Sequence, residues 1–213
     1  MSLHLAKIEI DYETAHKAGL RDTYAWHQWA WQAFPGRPTD DRDFLTRLDD
    51  TGDGFRFLIQ SANEPQRPAT CPSDAWQTKG IPENFFGHAA YRFSLLANPT
   101  RKLAAPRDAE GKRRNAKRVP VSTREDLIAW IERKGLQHGF QVDPANLQTI
   151  PRQRQVFVKK STADTQRHAG LHSATEFIGL LKITDPALFI QATHCGIGSA
   201  KAFGFGMLCL SPI

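Results

Sequence analysis

The chain has 213 residues, 40% of them apolar, with three cysteines and a net charge of +6. That length allows one large domain or two small ones, each with a hydrophobic core, and Cys71, Cys195 and Cys209 are too few for a disulfide framework, which fits a reducing cytoplasm. The opening MSLHLAKIEIDYE carries charges among its apolar residues, unlike a signal peptide, and the late stretch FIGLLKITDPALFI is broken by Lys182, Asp185 and Pro186, well short of the roughly 20 apolar residues a membrane span needs.

In LHLAKIEI, apolar residues alternate with others, which predicts a first strand over Leu3–Ile10. A helix follows, with Asp22 as its N-cap and Pro35 as its stop after Phe34. GFRFLIQS predicts a strand over Phe55–Ser61. The next segment, NEPQRPATCPSDAWQTKGIPENFFG, has little periodicity and four prolines, so it reads as a long connection with at most a short strand, and as the best domain boundary. Ala89–Asn98 alternates as a strand and leads into a basic segment that decorates a β-hairpin or its loop. STREDLIAWIERKGLQHGF is the clearest helix, capped by Ser122 or Thr123 and ended by Gly135 near Arg133 and Lys134. QRQVFVKK and ATEFIGLLKI are strands, DPALFIQATHCGIG is a short helix with proline in its first turn, and GFGMLCLSPI is a terminal strand.

The second half therefore reads β, α, β, β, α, β, and the first half begins in the same way. The expected class is α+β, with two tandem ferredoxin-like (RRM-like) βαββαβ domains over residues 1–86 and 87–213. Two such sandwiches side by side leave a groove between their sheets, a natural seat for a nucleic acid.

The positive charge is concentrated. Arg101–Arg118 holds eight basic and two acidic residues, a local balance of +6, and Arg152–His168 adds +4, so the rest of the chain is net −4. Such clusters point to a polyanion, because neutralising phosphates releases condensed counterions. The plainer alternative is two solvated loops.

GIGSAKAFGFG fits no nucleotide template. Lys201 precedes Gly204 where a phosphate-binding P-loop needs lysine directly after its last glycine, and no βαβ unit follows an early strand. What remains is either a tight turn or a loop whose backbone amides, with Lys201, hold a phosphate. His168 and His172 share a spacing that would place them on one helical face, but no acidic or cysteine ligand accompanies them, and no metal site is expected. Tyr24 and His27 lie three apart in the first turns of the first long helix, with Trp31 one turn further on. His27 therefore borders an apolar stripe and reads as a core residue. The competing reading is a proton-transfer group near a helix N-terminus, able with Tyr24 to cleave RNA without metal. In that chemistry one group takes the proton of a ribose 2′-hydroxyl and the other protonates or orients the leaving 5′-oxygen.

Three stretches together carry a specific resemblance: YAWHQWAWQAFPGRP; YRFSLLANPTRK followed by GKRRNAKRVPV; and GIGSAKAFGFGMLCLSPI. The chain resembles the CRISPR repeat-processing endoribonucleases of the CasE type, which belong to the type I-E Cascade complex. The resemblance implies a pair of ferredoxin-like domains that bind the repeat hairpin, cut precursor CRISPR RNA at its base without metal or cofactor, using the 2′-hydroxyl as nucleophile, and stay on the product beside other Cascade subunits. It implies His27 as the catalytic histidine, acid or base left open, and Tyr24 as its partner. The RNA-binding set it implies is Arg101, Lys102, Lys112, Arg113, Arg114, Lys117 and Arg118 around the hairpin segment, with Gly198, Lys201 and Gly204 in the glycine-rich element; Lys159, Lys160 and Arg167 are placed only by proximity. The rivals are a non-catalytic RNA-binding module that holds a guide RNA for assembly, and a DNA-binding or structural protein using the same basic clusters.

Overall fold

The computed structural model describes residues 2–36, 42–103, 118–159 and 168–213, without the side chains of 153–159 and 168–172. Two antiparallel sheets carry the fold. The first is built from β1 (Leu3–Asp11), β2 (Phe44–Asp50), β3 (Gly54–Ser61) and β4 (Trp76–Ile81), ordered β2-β3-β1-β4. Its helices, α1 (Tyr12–Lys17) and α2 (Thr23–Trp31), lie between β1 and β2.

The second sheet is ordered β11-β5-β10-β8, from β5 (Ala90–Ala97), β8 (Phe140–Val142), β10 (His168–Ile183) and β11 (Leu208–Pro212), with β9 (Gln148–Lys159) paired along the earlier part of β10. A separate ribbon joins β6 (Thr100–Lys102) to β7 (Arg118–Pro120). α3 (Arg124–Gln137) and α4 (Pro186–Cys195) fill the two crossovers. Each sheet has the strand order 4-1-3-2 of the ferredoxin-like unit, so the chain is α+β with two such units.

In the first unit both helices fall in the first crossover, and none lies between β3 and β4. The connection 62–75 holds Pro65, Pro68 and Pro72, which break helical hydrogen bonding, and it runs as irregular chain with turns at Pro68–Cys71 and Pro72–Ala75. Cys71 is buried there, Gln66 N donates to Ala33 O at 2.8 Å, and Trp29 Nε1 donates to Thr70 Oγ1 at 2.8 Å.

The helix starts follow local chemistry. The Asp22 carboxylate accepts from Ala25 N at 2.8 Å, and Thr123 and Asp185 cap α3 and α4 in the same way. α2 ends at Trp31, before Phe34 and Pro35. Gly135 does not end α3: it lies inside the helix and is buried, because a side chain there would strike the Phe140 carbonyl. α1 and β2 are elements that the sequence reading did not name, and β4 is the short strand it allowed. His168 and His172 lie on β10, a strand.

Two cores result. Ala6, Ile8 and Ile10 of β1 pack with Trp26, Trp29, Phe44, Phe57 and Ile59 under α2, while Tyr91, Phe93 and Leu95 of β5 pack with Trp130, Phe177 and Phe189 under α3 and α4.

The faces turned away from the helices are joined by buried polar contacts, beside a cavity of about 210 Å³ lined by Leu3, Leu5 and Leu58 of the first sheet and Leu208 and Leu210 of the second. Arg47, midway along β2 and 6% exposed, donates to Glu176 Oε1 of β10 at 2.6 Å and to Ser94 Oγ of β5 at 2.7 Å. Glu176 also accepts from Arg152, and Gln60 Nε2 reaches Thr193 O at 2.5 Å. Burial pushes the Glu176 carboxyl up, but hydrogen bonds from Ser94, Arg152 and Arg47 outweigh it and hold it at about 2.

Candidate functional site

α2 presents Tyr24 and His27 one turn apart. Tyr24 is 46% exposed and His27 is half-buried. The His27 ring is held on two sides. Its Nε2 accepts from Trp31 Nε1 at 3.2 Å, one helical turn along, and its plane lies tilted over Phe44, with centroids 6.1 Å apart. Nδ1 is buried and has no hydrogen-bond partner among the described residues. Phe34 stacks on the Phe44 ring at 4.9 Å, and Trp31 meets it edge-on at 4.9 Å. Both are packing residues, as their spacing in the sequence indicates.

A residue that the sequence reading missed completes this corner. Arg42, just before β2, lies 5.9 Å over the Phe44 ring and donates from Nη1 to the Lys201 carbonyl oxygen at 2.8 Å. Burial of the imidazole and the charge of Arg42 both lower the His27 pKa. The ring is therefore neutral near pH 7 and able to accept a proton. No motif marks Arg42 in the sequence, where it follows Asp40 and Asp41 and reads as a solvated charge.

The glycine-rich segment comes to the same place. The turn Lys201–Phe203 contacts both α2 and β2. Gly198 and Gly204 have φ of 91° and 83°, the left-handed region that favours glycine, and Ala200 has φ 62°. Phe205 and Leu96 bury a small cluster beneath the turn, which holds Lys201 in position beside Arg42.

The basic ribbon is a hairpin base, as expected. Lys102 pairs with Arg118 and Arg101 with Val119 across β6 and β7. Arg101, Lys102 and Arg118 are exposed, and Arg101 stands 3.7 Å from Asp126. Lys112, Arg113, Arg114 and Lys117 lie outside the described residues, as do Lys160 and Arg167; Lys159 ends β9 with its side chain also outside them. The structure thus brings His27, Tyr24 and Lys201 to one corner, with Gly198 and Gly204 in the same turn segment. Arg101, Lys102 and Arg118 belong to the separate ribbon.

Among the described residues no group of three or more His, Cys, Asp or Glu side chains is arranged to hold a metal ion. What the corner offers is acid–base and electrostatic chemistry: a neutral imidazole, a phenol and a guanidinium.

A family model described as CRISPR associated protein matches residues 3–212. The chain is 31% identical over 201 residues to the CRISPR system Cascade subunit CasE of Escherichia coli (strain K12), covering 92% of this chain and 96% of that one. It is 29% identical over 125 residues to the CRISPR-associated endoribonuclease Cse3 of Thermus thermophilus, covering 57% of this chain and 55% of that one. The crystal structure of the CRISPR-associated protein Cas6e from Escherichia coli str. K-12 superposes with a TM-score of 0.71 at 28% identity, over 99% of this chain and 100% of that one.

Proposed function

The chain belongs to the CRISPR-associated protein family, and from that premise we propose that it binds the stem–loop of a CRISPR repeat, cleaves precursor CRISPR RNA at its base, and stays on the product as a subunit of Cascade. The observation that carries this reading is the near full-length likeness to CasE in a chain whose His27, on α2, stands beside Arg42 and the glycine-rich turn. An A-form stem is recognised through its phosphates and shape, which suits the basic ribbon at Arg101, Lys102 and Arg118. Lys112, Arg113, Arg114, Lys117, Lys159, Lys160 and Arg167 extend that cationic surface in this reading, and Gly198, Lys201 and Gly204 approach the RNA backbone. The ferredoxin-like units divide at residues 86 and 87, between β4 and β5.

Cleavage uses the ribose 2′-hydroxyl and no metal. The O2′–P bond forms as the P–O5′ bond breaks, leaving a 2′,3′-cyclic phosphate or its 3′-phosphate hydrolysis product on one fragment and a 5′-hydroxyl on the other. The low pKa of His27 favours the base role: a neutral imidazole takes the 2′-hydroxyl proton, once Nε2 gives up the indole N–H of Trp31. The Tyr24 hydroxyl, exposed one turn earlier, orients or protonates the leaving oxygen, and Arg42 balances charge on the crowded phosphate. No cofactor enters. A cytoplasmic location suits the free cysteines, and no described helix is long and apolar enough to cross a membrane.

One observation favours a second reading, a non-catalytic module that holds guide RNA. Both His27 nitrogens are withdrawn, Nε2 to Trp31 and Nδ1 into the interior. The two readings separate on repeat RNA incubated in excess EDTA, beside the same RNA with a single 2′-deoxy nucleotide 5′ of the cut. An active endoribonuclease of this mechanism cuts the first and only binds the second. The passive module cuts neither.

A further inference from the structure

Beside the glycine-rich turn lies a polar cleft of about 280 Å³, separate from the His27 corner. Arg118 of β7, Arg133 and Lys134 of α3, and Gly198 and Ser199 line it against the buried face of Trp130. The charges there are unbalanced. Among the described residues neither Arg118, Arg133 nor Lys201 is ion-paired with a carboxylate, and Lys134 Nζ finds only the neutral Gln137 amide, at 2.9 Å, and the Trp130 ring, at 6.0 Å. Burial lowers the Lys134 pKa, and Arg133, Lys201 and Arg118 lower it further; His138, at the end of α3, is lowered by burial and by Lys134 and Lys201. Lys134 and His138 therefore both sit in a positive field.

Backbone donors add to it. Gly198 and Ala200 have positive φ, and the N–H groups of Gly198, Ser199 and Ala200 donate to no acceptor among the described residues. Cations without counter-charges, free amides and an apolar wall together concentrate positive potential where an anion can meet it. The cleft is continuous with two parts of the proposed RNA surface. Thr100 and Arg118 bring it to the basic ribbon, and Lys201, whose carbonyl oxygen is taken by Arg42, joins it to the His27 corner.

We propose that this cleft is a second phosphate-binding site, which takes a backbone phosphodiester of the single-stranded RNA flanking the stem as that strand passes the Lys201 turn. The inference rests on the RNA-processing reading above. It makes Arg133, Lys134 and the Gly198–Ala200 amides binding groups for the flank, while the ribbon holds the stem.

The test uses the full chain with Arg133→Gln and Lys134→Gln combined, and a repeat stem–loop made uncleavable by a 2′-deoxy nucleotide at the cut. Binding is followed by fluorescence anisotropy over a salt series, for the RNA with both single-stranded flanks and for the trimmed stem–loop. The flanked RNA should lose about tenfold in affinity, and the slope of log affinity against log salt should fall by about one to two. The trimmed stem–loop should bind almost as before. The charge-preserving pair Arg133→Lys and Lys134→Arg should keep most of the flanked-RNA affinity. Unchanged affinity and slope for the flanked RNA overturn the proposal, and so does an equal loss on both RNAs. Failure of the unaltered protein to bind either RNA overturns the functional reading itself.

Discussion

Arg42 Nη1 donates to the Lys201 carbonyl oxygen at 2.8 Å, so the residue that lowers the His27 pKa is also the one that fixes the glycine-rich turn beside it. Two segments 159 positions apart in the chain are thereby held around one imidazole. The electrostatics of that corner depend on the join as much as on His27.

Arg42→Ala should reduce the single-turnover cleavage rate about 10²-fold to 10³-fold, the range for losing one preorganised electrostatic contact. Stem–loop affinity should change little. Arg42→Lys should restore only part of the rate, because an ammonium lacks the planar fork that can serve a carbonyl and a phosphate together.

His27 should titrate below the ordinary value of about 6.5, measured by NMR on the folded protein. If it is the base, the cleavage rate rises with pH through a midpoint below that value and then levels off. Because the folded state resists protonation here, the stability linked to His27 is complete above about 6.5 and is lost as pH falls below it. Arg42→Gln should move the titration back up.

Glu176→Gln should destabilise the protein by about 1–3 kcal/mol in urea unfolding, since it removes the more buried of the two carboxylates that pair Arg47 and leaves only Asp49, at 2.9 Å from Nε. The carboxylate is held at about 2, so its contribution is present above the unfolded value of about 4.3 and disappears as pH falls toward 2. Acid unfolding of the unaltered protein should be steep in that window and shallower in the variant.

Gly135→Ala should cost about 1–3 kcal/mol by overpacking against the Phe140 carbonyl, even though alanine is ordinarily the better helix former. Thermal unfolding of the two proteins decides it.

The helix starts were legible because the caps are local: Asp22, Thr123 and Asp185 each accept a hydrogen bond from an amide three residues on. Endings depend more on tertiary contacts. Gly135 reads as a helix stop, yet it is kept small by Phe140, a neighbour that only the folded chain brings close. β2 escaped notice for a related reason. FLTRLDD lacks clean alternation because both of its faces are buried, Phe44 against α2 and Arg47 against the second sheet.

At the site, Tyr24 and His27 were recognisable from spacing and resemblance, whereas Arg42 and the cleft were not. Arg133 and Lys134 read as ordinary cations near a helix C-terminus. Their meeting with Arg118 and Lys201 depends on how α3 packs against the ribbon and the glycine-rich turn. Arg47 is the reverse case, a charge in a polar-looking strand that the fold buries and pairs.

The central claim is that His27 performs chemistry and is not merely a packing residue. It is tested most directly by the single-turnover cleavage rate of His27→Ala on repeat RNA in EDTA, with stem–loop affinity measured on the same sample. The account predicts a rate loss of 10²-fold or more, on the order that general acid–base groups supply, at nearly unchanged affinity. Cleavage at the unaltered rate, or a loss of rate matched by a loss of RNA binding and thermal stability, would contradict it.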